Sequence, residues 1–422
     1  MASEVLGPGP WAPRTVPSPG GSPVERFRLV SFERRLADVG VSELERTVAE
    51  ISPESLEGWF AKDPSLREIA LLRTCQRVVV LALVDGPEAD LRLSGRLGLA
   101  GRWAQRTDAE AVGHLFRITA GLDSRAPGER EIRDQVRATA SGVRSRHPQA
   151  LVRSLLLRAA DTAATLGDHG VGSVSDLAVD WLLPRLSSRE AGVLVIGAGI
   201  VGRRAAERLA GHAQVTILYR HRPPDATWTA QWNVRARPSA ELIEAVRGAE
   251  AVIAAAKTTG RVLGAPDLPP LPRSGPRWFV DLGLPRNIDP EIGRRAGCEL
   301  VDLDGLPRGE IPPELRAEME RIVESAAAVE ARELAGASAE PWISELRRWA
   351  ESIRREEWEQ ATAHAGAVSD SARLAYERLS ERLVRRLLSG PTRELRALPP
   401  GSELDLWRRR VVELLQGSDV GP

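Results

Sequence analysis

The chain has 422 residues, a formal net charge of zero and an apolar fraction of 42%, enough for roughly two to four domains with buried cores. The neutral balance argues against broad non-specific binding to nucleic acid, and no run of about 18 apolar residues offers a membrane span. Cys75 and Cys298 are the only cysteines, too few for a disulfide framework and suited to a reducing cytoplasm.

Residues 1–24 are rich in Pro, Gly and Ser and read as a disordered leader, without the charged start and apolar core of a secretory signal. Residues 26–32 alternate in polarity and predict a strand, followed by a helix around 42–50. Two apolar stretches flank Cys75. Glu68–Leu72 leads in, and Val78–Val84 leads out with the β-branched content of a buried strand. This predicts a small α/β sandwich with Cys75 at a strand junction, where its side chain can face a cleft. A helix over 108–122 ends at the C-cap Gly121. Glu129 to Arg158 reads as one helical, arginine-rich stretch. Its Arg130, Arg133, Arg137, Arg144, Arg146, Arg153 and Arg158 are either a phosphate-binding face or a solvated face balanced by Glu129, Glu131 and Asp134. A break at Gly167–Gly170 precedes a helix from Ser175 to Leu183, capped by Ser173 or Ser175.

Strands at Val193–Ile196, Val215–Leu218, Ala251–Ala255, Trp278–Leu282 and Leu300–Leu303 then alternate with helices at Gly202–Ala210 and Glu241–Arg247. That pattern predicts a doubly wound parallel sheet. The run Gly197-Ala-Gly-Ile-Val-Gly202 leaves the first of these strands and opens a helix. Gly197 permits the tight turn, Gly199 the approach of a pyrophosphate, and Gly202 close packing of helix on sheet. The phosphates would face the unpaired N–H groups at the helix start, around Ile200 and Val201. The second strand ends in Tyr219-Arg220-His221-Arg222, with no acid to hold a ribose hydroxyl. Two arginines there suit a 2′-phosphate, so NADPH is expected over NADH unless they form only a solvated loop. Beyond Pro313 the chain is helical. Trp342, Leu346, Trp349 and Ile353 share one face, as do Leu379, Leu383 and Leu387. Such stripes fit either an intramolecular bundle or a dimerisation domain.

Thr74-Cys75-Gln76-Arg77 resembles the Thr-Cys-Asn-Arg signature of the glutamyl-tRNA reductase family. The stretch from His114-Leu-Phe-Arg117 through Gly121-Leu-Asp-Ser124, Gly128-Glu129 and Ile132-Arg-Asp-Gln135-Val136 is similar to its long central motif. Ser173-Val-Ser175 with Ala178-Val179, Asp281-Leu-Gly-Leu-Pro285-Arg286-Asn-Ile-Asp289-Pro290, and Leu387-Leu-Ser-Gly-Pro-Thr392 resemble later family motifs. The resemblance implies a fold of α/β and all-α parts: a catalytic domain over 25–165, a Rossmann NADPH domain over 166–307, and a long helix with a helical dimerisation domain over 308–416. It implies a V-shaped homodimer that reduces glutamyl-tRNA to glutamate-1-semialdehyde, the first committed step of five-carbon tetrapyrrole synthesis. A downstream glutamate-1-semialdehyde aminomutase is a candidate partner.

In those roles Cys75 attacks the aminoacyl ester as a thiolate, which a nearby arginine such as Arg77 would favour. The resemblance also gives Arg77 the substrate carboxylate, and places Thr74, His114 and Ser124 around the glutamate pocket, with Glu129 and Gln135 as further pocket residues. His114 could donate to the leaving oxygen or the carbonyl oxygen, or be a histidine satisfied within its helix. No metal is needed, and Cys298 matches no catalytic position. The chain departs from the family pattern at Gln76 (usually asparagine), Val79 (usually glutamate), Leu81 (usually tyrosine) and Ser389 (usually histidine). Two alternatives stay open: a non-catalytic or regulatory paralogue, and a reductase or dehydrogenase with a different substrate.

Overall fold

The computed structural model describes residues 27–98, 103–167, 172–258, 260–268, 278–364 and 369–397. The expected leader, and Asp168–Gly170 of the expected break, lie outside these residues. Among the described residues the chain divides into two compact units: Leu29–Ala328, and a second that joins Val329 onward to Phe27 and Arg28.

The first unit opens within β1 (Phe27–Arg35), from Leu29, followed by the single turn α1 (Leu36–Val39), α2 (Val41–Glu50) and α3 (Pro53–Lys62). Strands β2 (Leu66–Arg73) and β3 (Arg77–Asp85) follow, then α4 (Gly86–Arg96), β4 (Ala104–Thr107) and α5 (Asp108–Thr119). Helix α6 (Arg130–Ser141), β5 (Arg144–Ser145) and α7 (Leu151–Thr165) complete this part. Its sheet has the order β4-β1-β3-β2-β5, with β2 and β3 an antiparallel hairpin in register from Leu66↔Val84 to Arg73↔Val78. Every residue of β3 is buried, which explains its unbroken apolar run: both faces of this central strand are covered. The two strands are joined by Thr74, Cys75 and Gln76 alone, so the hairpin fixes where Cys75 sits.

The expected single helical stretch over 129–158 is two helices. Gly142 caps α6, and β5 then pairs with β2 at Glu68 and Ile69. Helix α7 restarts with its first N–H groups, Leu151 and Val152, donating to the Glu68 carboxylate at 2.6 and 3.0 Å. A carboxylate at a helix N-terminus supplies the acceptors the helix lacks, and one more than 80 positions away leaves no local cap in the sequence.

After α8 (Val174–Leu182), capped by Ser173, come β6 (Gly192–Ile196), α9 (Ile200–Leu209), β7 (Gln214–Tyr219), α10 (Ala226–Gln231) and β8 (Arg235–Pro238). Then follow α11 (Leu242–Arg247), β9 (Ala251–Ala254), β10 (Trp278–Asp281) and β11 (Glu299–Asp302). The sheet order is β11-β10-β9-β6-β7-β8, all parallel. This is the doubly wound arrangement, with its order reversing between β6 and β9, where such folds bind nucleotides. The edge strand β8 was not anticipated. Its residues are mostly exposed, so it lacks the apolar alternation that marks a strand.

Helices α12 (Pro313–His364) and α13 (Asp370–Ala397) end the described chain. In the second unit Ala339, Ile343, Leu346 and Leu395 form a small core, with Trp349 and Leu388 against it. Ser338 Oγ donates to the Phe27 carbonyl at 2.9 Å. The side chain of Trp342 lies outside the described ones. Leu379, Leu383 and Leu387 remain exposed, with Leu374 and Tyr376 beside them in sequence. No helix among the described residues is long and apolar enough to cross a membrane.

Candidate active site

Cys75 lies at the hairpin tip, partly buried, while Thr74 and Gln76 beside it are buried. The turn is closed by the Thr74 N–H donating to the Arg77 carbonyl at 3.0 Å and by the Gln76 N–H donating to Thr74 Oγ1 at 3.1 Å. Gln76 reaches across with both arms of its amide. Nε2 donates to Ser124 Oγ at 3.0 Å, and Oε1 accepts from the Arg125 N–H at 2.8 Å. Ser124 Oγ in turn donates to Glu129 at 2.6 Å. Thr74, Gln76, Ser124 and Glu129 thus form a connected polar wall beside the cysteine. Burial pushes the Glu129 carboxyl up to about 7, helped by nearby Glu131 and opposed by the Ser124 hydrogen bond.

Burial and the Glu129 carboxylate also push the Cys75 thiol up to about 12, against weaker pulls from the Gln76 hydrogen bond and the Arg77 charge. The expected influence of Arg77 is therefore present but outweighed, and the net shift runs opposite to expectation. Arg77 itself is 1% exposed. Its Nη1 donates to Glu33 at 2.9 Å and its Nη2 to the Asp123 carbonyl at 2.7 Å, and among the described residues its Nε has no partner. His114, on α5, contacts the same Glu33 through Nε2 at 2.7 Å. Glu33 is the residue that sequence reasoning missed. It lies on β1 and joins two expected site residues that are distant in sequence. Burial alone would raise its carboxyl, but the His114 hydrogen bond and the charges of His114, Arg77 and Arg106 hold it at about 2. Gln135, on α6, carries a buried Oε1 without a hydrogen-bond partner among the described residues.

The glycine turn behaves as its spacing predicts. Gly197 has φ +108, and a Cβ there would lie 2.8 Å from the Ala255 carbonyl oxygen. A Cβ on Gly202 would lie 1.9 Å from the Gly197 carbonyl oxygen, so only glycine lets α9 pack this close. A Cβ built on Gly199 would meet nothing within 4 Å, which leaves the open approach a pyrophosphate requires. Ile200 at the start of α9 is 71% exposed, a large apolar side chain at the rim of that approach. Arg220 and Arg222 are exposed just past β7. The residues thus fit a dinucleotide.

Arg286 braces this sheet to the Cys75 part. It donates to Glu45 of α2 from its backbone N–H at 2.6 Å and from Nη1 at 3.1 Å, and to Asp302 of β11 from Nη2 at 3.0 Å. Its loop is organised by Asp281, whose carboxylate accepts from the N–H groups of Gly283, Asn287 and Ile288.

Three family profiles match the chain. They are the N-terminal domain of glutamyl-tRNAGlu reductase over residues 30–169, its dimerisation domain over 318–416, and shikimate/quinate 5-dehydrogenase over 182–308. Glutamyl-tRNA reductase 2 of Nocardioides sp. is 34% identical over 407 residues, covering 88% of this chain and 89% of the relative. The chain belongs to the glutamyl-tRNA reductase family. The glutamyl-tRNA reductase of Salinibacter ruber is 29% identical over 366 residues, covering 79% and 74% of the two chains. A solved glutamyl-tRNA reductase from Methanopyrus kandleri is 20% identical, covers 92% of this chain and 98% of its own, and has a TM-score of 0.47. The dehydrogenase match spans the parallel sheet and supports a nicotinamide nucleotide as cofactor. The dimerisation match supports a homodimer.

The departures from the reductase family pattern are absorbed locally. Gln76 uses its longer side chain to span Ser124 and Arg125. Val79 and Leu81 are buried in the central strand. Ser389 bonds within α13, to the Arg386 carbonyl at 2.7 Å. Several arginines of the 129–158 stretch are engaged within the protein. Arg144 pairs with Glu57 at 3.2 Å and Arg137 with Asp161 at 2.5 Å. Arg146 stacks on Phe60 and donates to the carbonyls of Asp63 and Leu66. Cys298 packs at the edge of the nucleotide-sheet core.

Proposed function

We propose that this protein reduces the glutamyl ester of glutamyl-tRNA to glutamate-1-semialdehyde, using NADPH and a thioester at Cys75. The observation that carries the reading is Cys75 at the hairpin tip, walled by Thr74, Gln76, Ser124 and Glu129 in the same compact unit as the glycine turn. We assign catalysis to residues 25–165, nucleotide binding to 166–307 and dimerisation to 308–416.

The Cys75 sulfur attacks the ester carbonyl carbon, a carbon–sulfur bond forms, and the bond to the tRNA ribose oxygen breaks. The proton lost from sulfur is regained by that oxygen, so the step is proton-neutral, and His114 is the imidazole we assign to the transfer. Arg77 is assigned to the substrate carboxylate. To reach it the guanidinium must exchange a partner, and the neutral Asp123 carbonyl is held less strongly than the Glu33 carboxylate. NADPH, when bound, would supply the hydride that takes the thioester to the oxidation level of an aldehyde. The Gly197–Gly202 turn would hold the pyrophosphate and Arg220 and Arg222 the 2′-phosphate, and Cys75 leaves as a thiolate that takes a proton from solvent when the aldehyde is released. A reactive aldehyde calls for a partner that consumes it, and a glutamate-1-semialdehyde aminomutase is the partner we assign.

The test is single-turnover reaction with glutamyl-tRNA, with and without NADPH, on wild type and Cys75→Ser. Trapped glutamyl-enzyme without NADPH and semialdehyde with it, both absent in Cys75→Ser, are the expected results. Near-wild-type turnover in Cys75→Ser, with NADPH binding retained, would sink the thioester route.

A further inference from the structure

We infer that Glu33 is the positioning carboxylate of the acylation site, occupying from β1 the role that a carboxylate at position 79 of β3 would otherwise serve. The inference rests on the reductase reading above. Glu33 is buried and meets three cationic or imidazole groups: Arg77 Nη1 at 2.9 Å, Arg106 Nη1 at 3.2 Å and His114 Nε2 at 2.7 Å. It therefore orients both the arginine assigned to the substrate carboxylate and the imidazole assigned to proton transfer. A buried acceptor that fixes an imidazole and a guanidinium together also fixes which nitrogens remain for substrate.

One backbone bond between β1 and β3 sets a register by which this position can serve. β1 neighbours β3, and where β1 ends and β3 begins the Leu36 N–H donates to the Gln76 carbonyl at 2.8 Å. The two strands run away from that bond in opposite directions. Counted inward from that bond along an unbroken ladder, Arg35 falls across from Arg77 and Glu33 across from Val79. These are the non-hydrogen-bonded pairs of an antiparallel ladder, whose side chains lie closest. Residues 77 and 79 also share a face, because side chains alternate along a strand. A carboxylate at 33 or at 79 thus projects into the same space beside Arg77. In this chain position 79 is a buried valine, at the place where the family pattern usually has glutamate. The carboxylate that pairs with Arg77 is on β1, not β3. A second would place two like charges opposite each other in a buried layer, which is destabilising.

The test is a swap cycle of Glu33→Val, Val79→Glu and the double variant. The readout is the single-turnover rate of glutamyl-enzyme formation at saturating glutamyl-tRNA, with NADPH affinity as the control for folding. Each single variant is expected to lose about 10–100-fold in acylation, Glu33→Val by removing the partner that orients the histidine and Val79→Glu by adding a second buried like charge beside it. The double variant is expected to recover to within about threefold of wild type, a strong non-additivity of neighbouring sites. Acylation at the wild-type rate in Glu33→Val overturns the inference. So does a double variant no better than the poorer single, whether it is folded and slow or fails to fold. If Glu33→Val alone does not fold, recovery of both folding and acylation in the double variant supports the inference. No acyl-enzyme from wild type overturns the reductase reading and this inference with it, whereas normal wild-type acylation matched by Glu33→Val overturns this inference alone.

Discussion

At the scale of single residues, Cys75 rests in a protonated form. Its thiol is pushed up to about 12 by burial and by Glu129, so at neutral pH the thiolate fraction is small. Below that value the fraction rises about tenfold per pH unit. Alkylation of Cys75 by iodoacetamide, followed by mass spectrometry, should accelerate in that proportion from pH 7 to 10 without a plateau. A plateau near pH 8 would contradict the buried-thiol picture. Glu68 makes a separate prediction about stability. Burial raises its carboxyl to about 7, against the N–H groups of Leu151, Val152 and Arg153 that favour the anion. The folded state therefore binds this proton more tightly than the unfolded chain, and the contribution to stability falls as pH rises from about 4.5 to 7. Glu68→Gln keeps an oxygen acceptor for α7, so its melting temperature should change less between pH 5.5 and 7.5 than that of wild type. An unchanged difference would rule out Glu68 as a titrating contributor. Cys75, Gln76 and Arg77 were legible in the sequence because one hairpin turn holds them. Glu33 was not, because it meets Arg77 across 44 positions and His114 across 81, and only the ladder brings them together.

At the scale of elements, the turn between β6 and α9 is built around an approach that tolerates no side chain. The Cβ of Gly202→Ala would lie 1.9 Å from the Gly197 carbonyl oxygen, so α9 must shift. A loss of about 1–3 kcal/mol, typical of overpacking, and a marked loss of NADPH affinity are expected from thermal melts and nucleotide titration. Arg220→Ala with Arg222→Ala should weaken NADPH at least about tenfold more than NADH, a difference of about 1.4 kcal/mol. Equal losses for both would remove the 2′-phosphate assignment. The βα alternation here was legible because parallel strands buried on both faces read as short apolar runs between helical periods. The edge strand β8 was hidden by its exposed, polar residues, and the division of α6 from α7 by the reliance of α7 on Glu68 for its first acceptors.

At the scale of the whole molecule, the dimerisation match spans an apolar stripe. Leu379, Leu383 and Leu387 recur every fourth residue on α13 and are exposed, Leu387 at 73%. Replacing Leu379, Leu383 and Leu387 together with serine should convert the homodimer to monomer in analytical ultracentrifugation. A dimer that persists would place the interface elsewhere. The stripe was visible in the sequence, but an apolar face says only that it is covered, not whether by the same chain or by another. The brace at Arg286 has a consequence of another kind. A thioester is open to attack by water as well as by hydride, and the product depends on which arrives first. Arg286 grips Glu45 on one side and Asp302 on the other, holding the sheet that delivers reducing equivalents against the helix behind the hairpin. Loosening that grip with Arg286→Ala should turn part of the flux to waste. The enzyme would then act as an esterase, releasing plain glutamate and discharged tRNA while leaving its NADPH unoxidised.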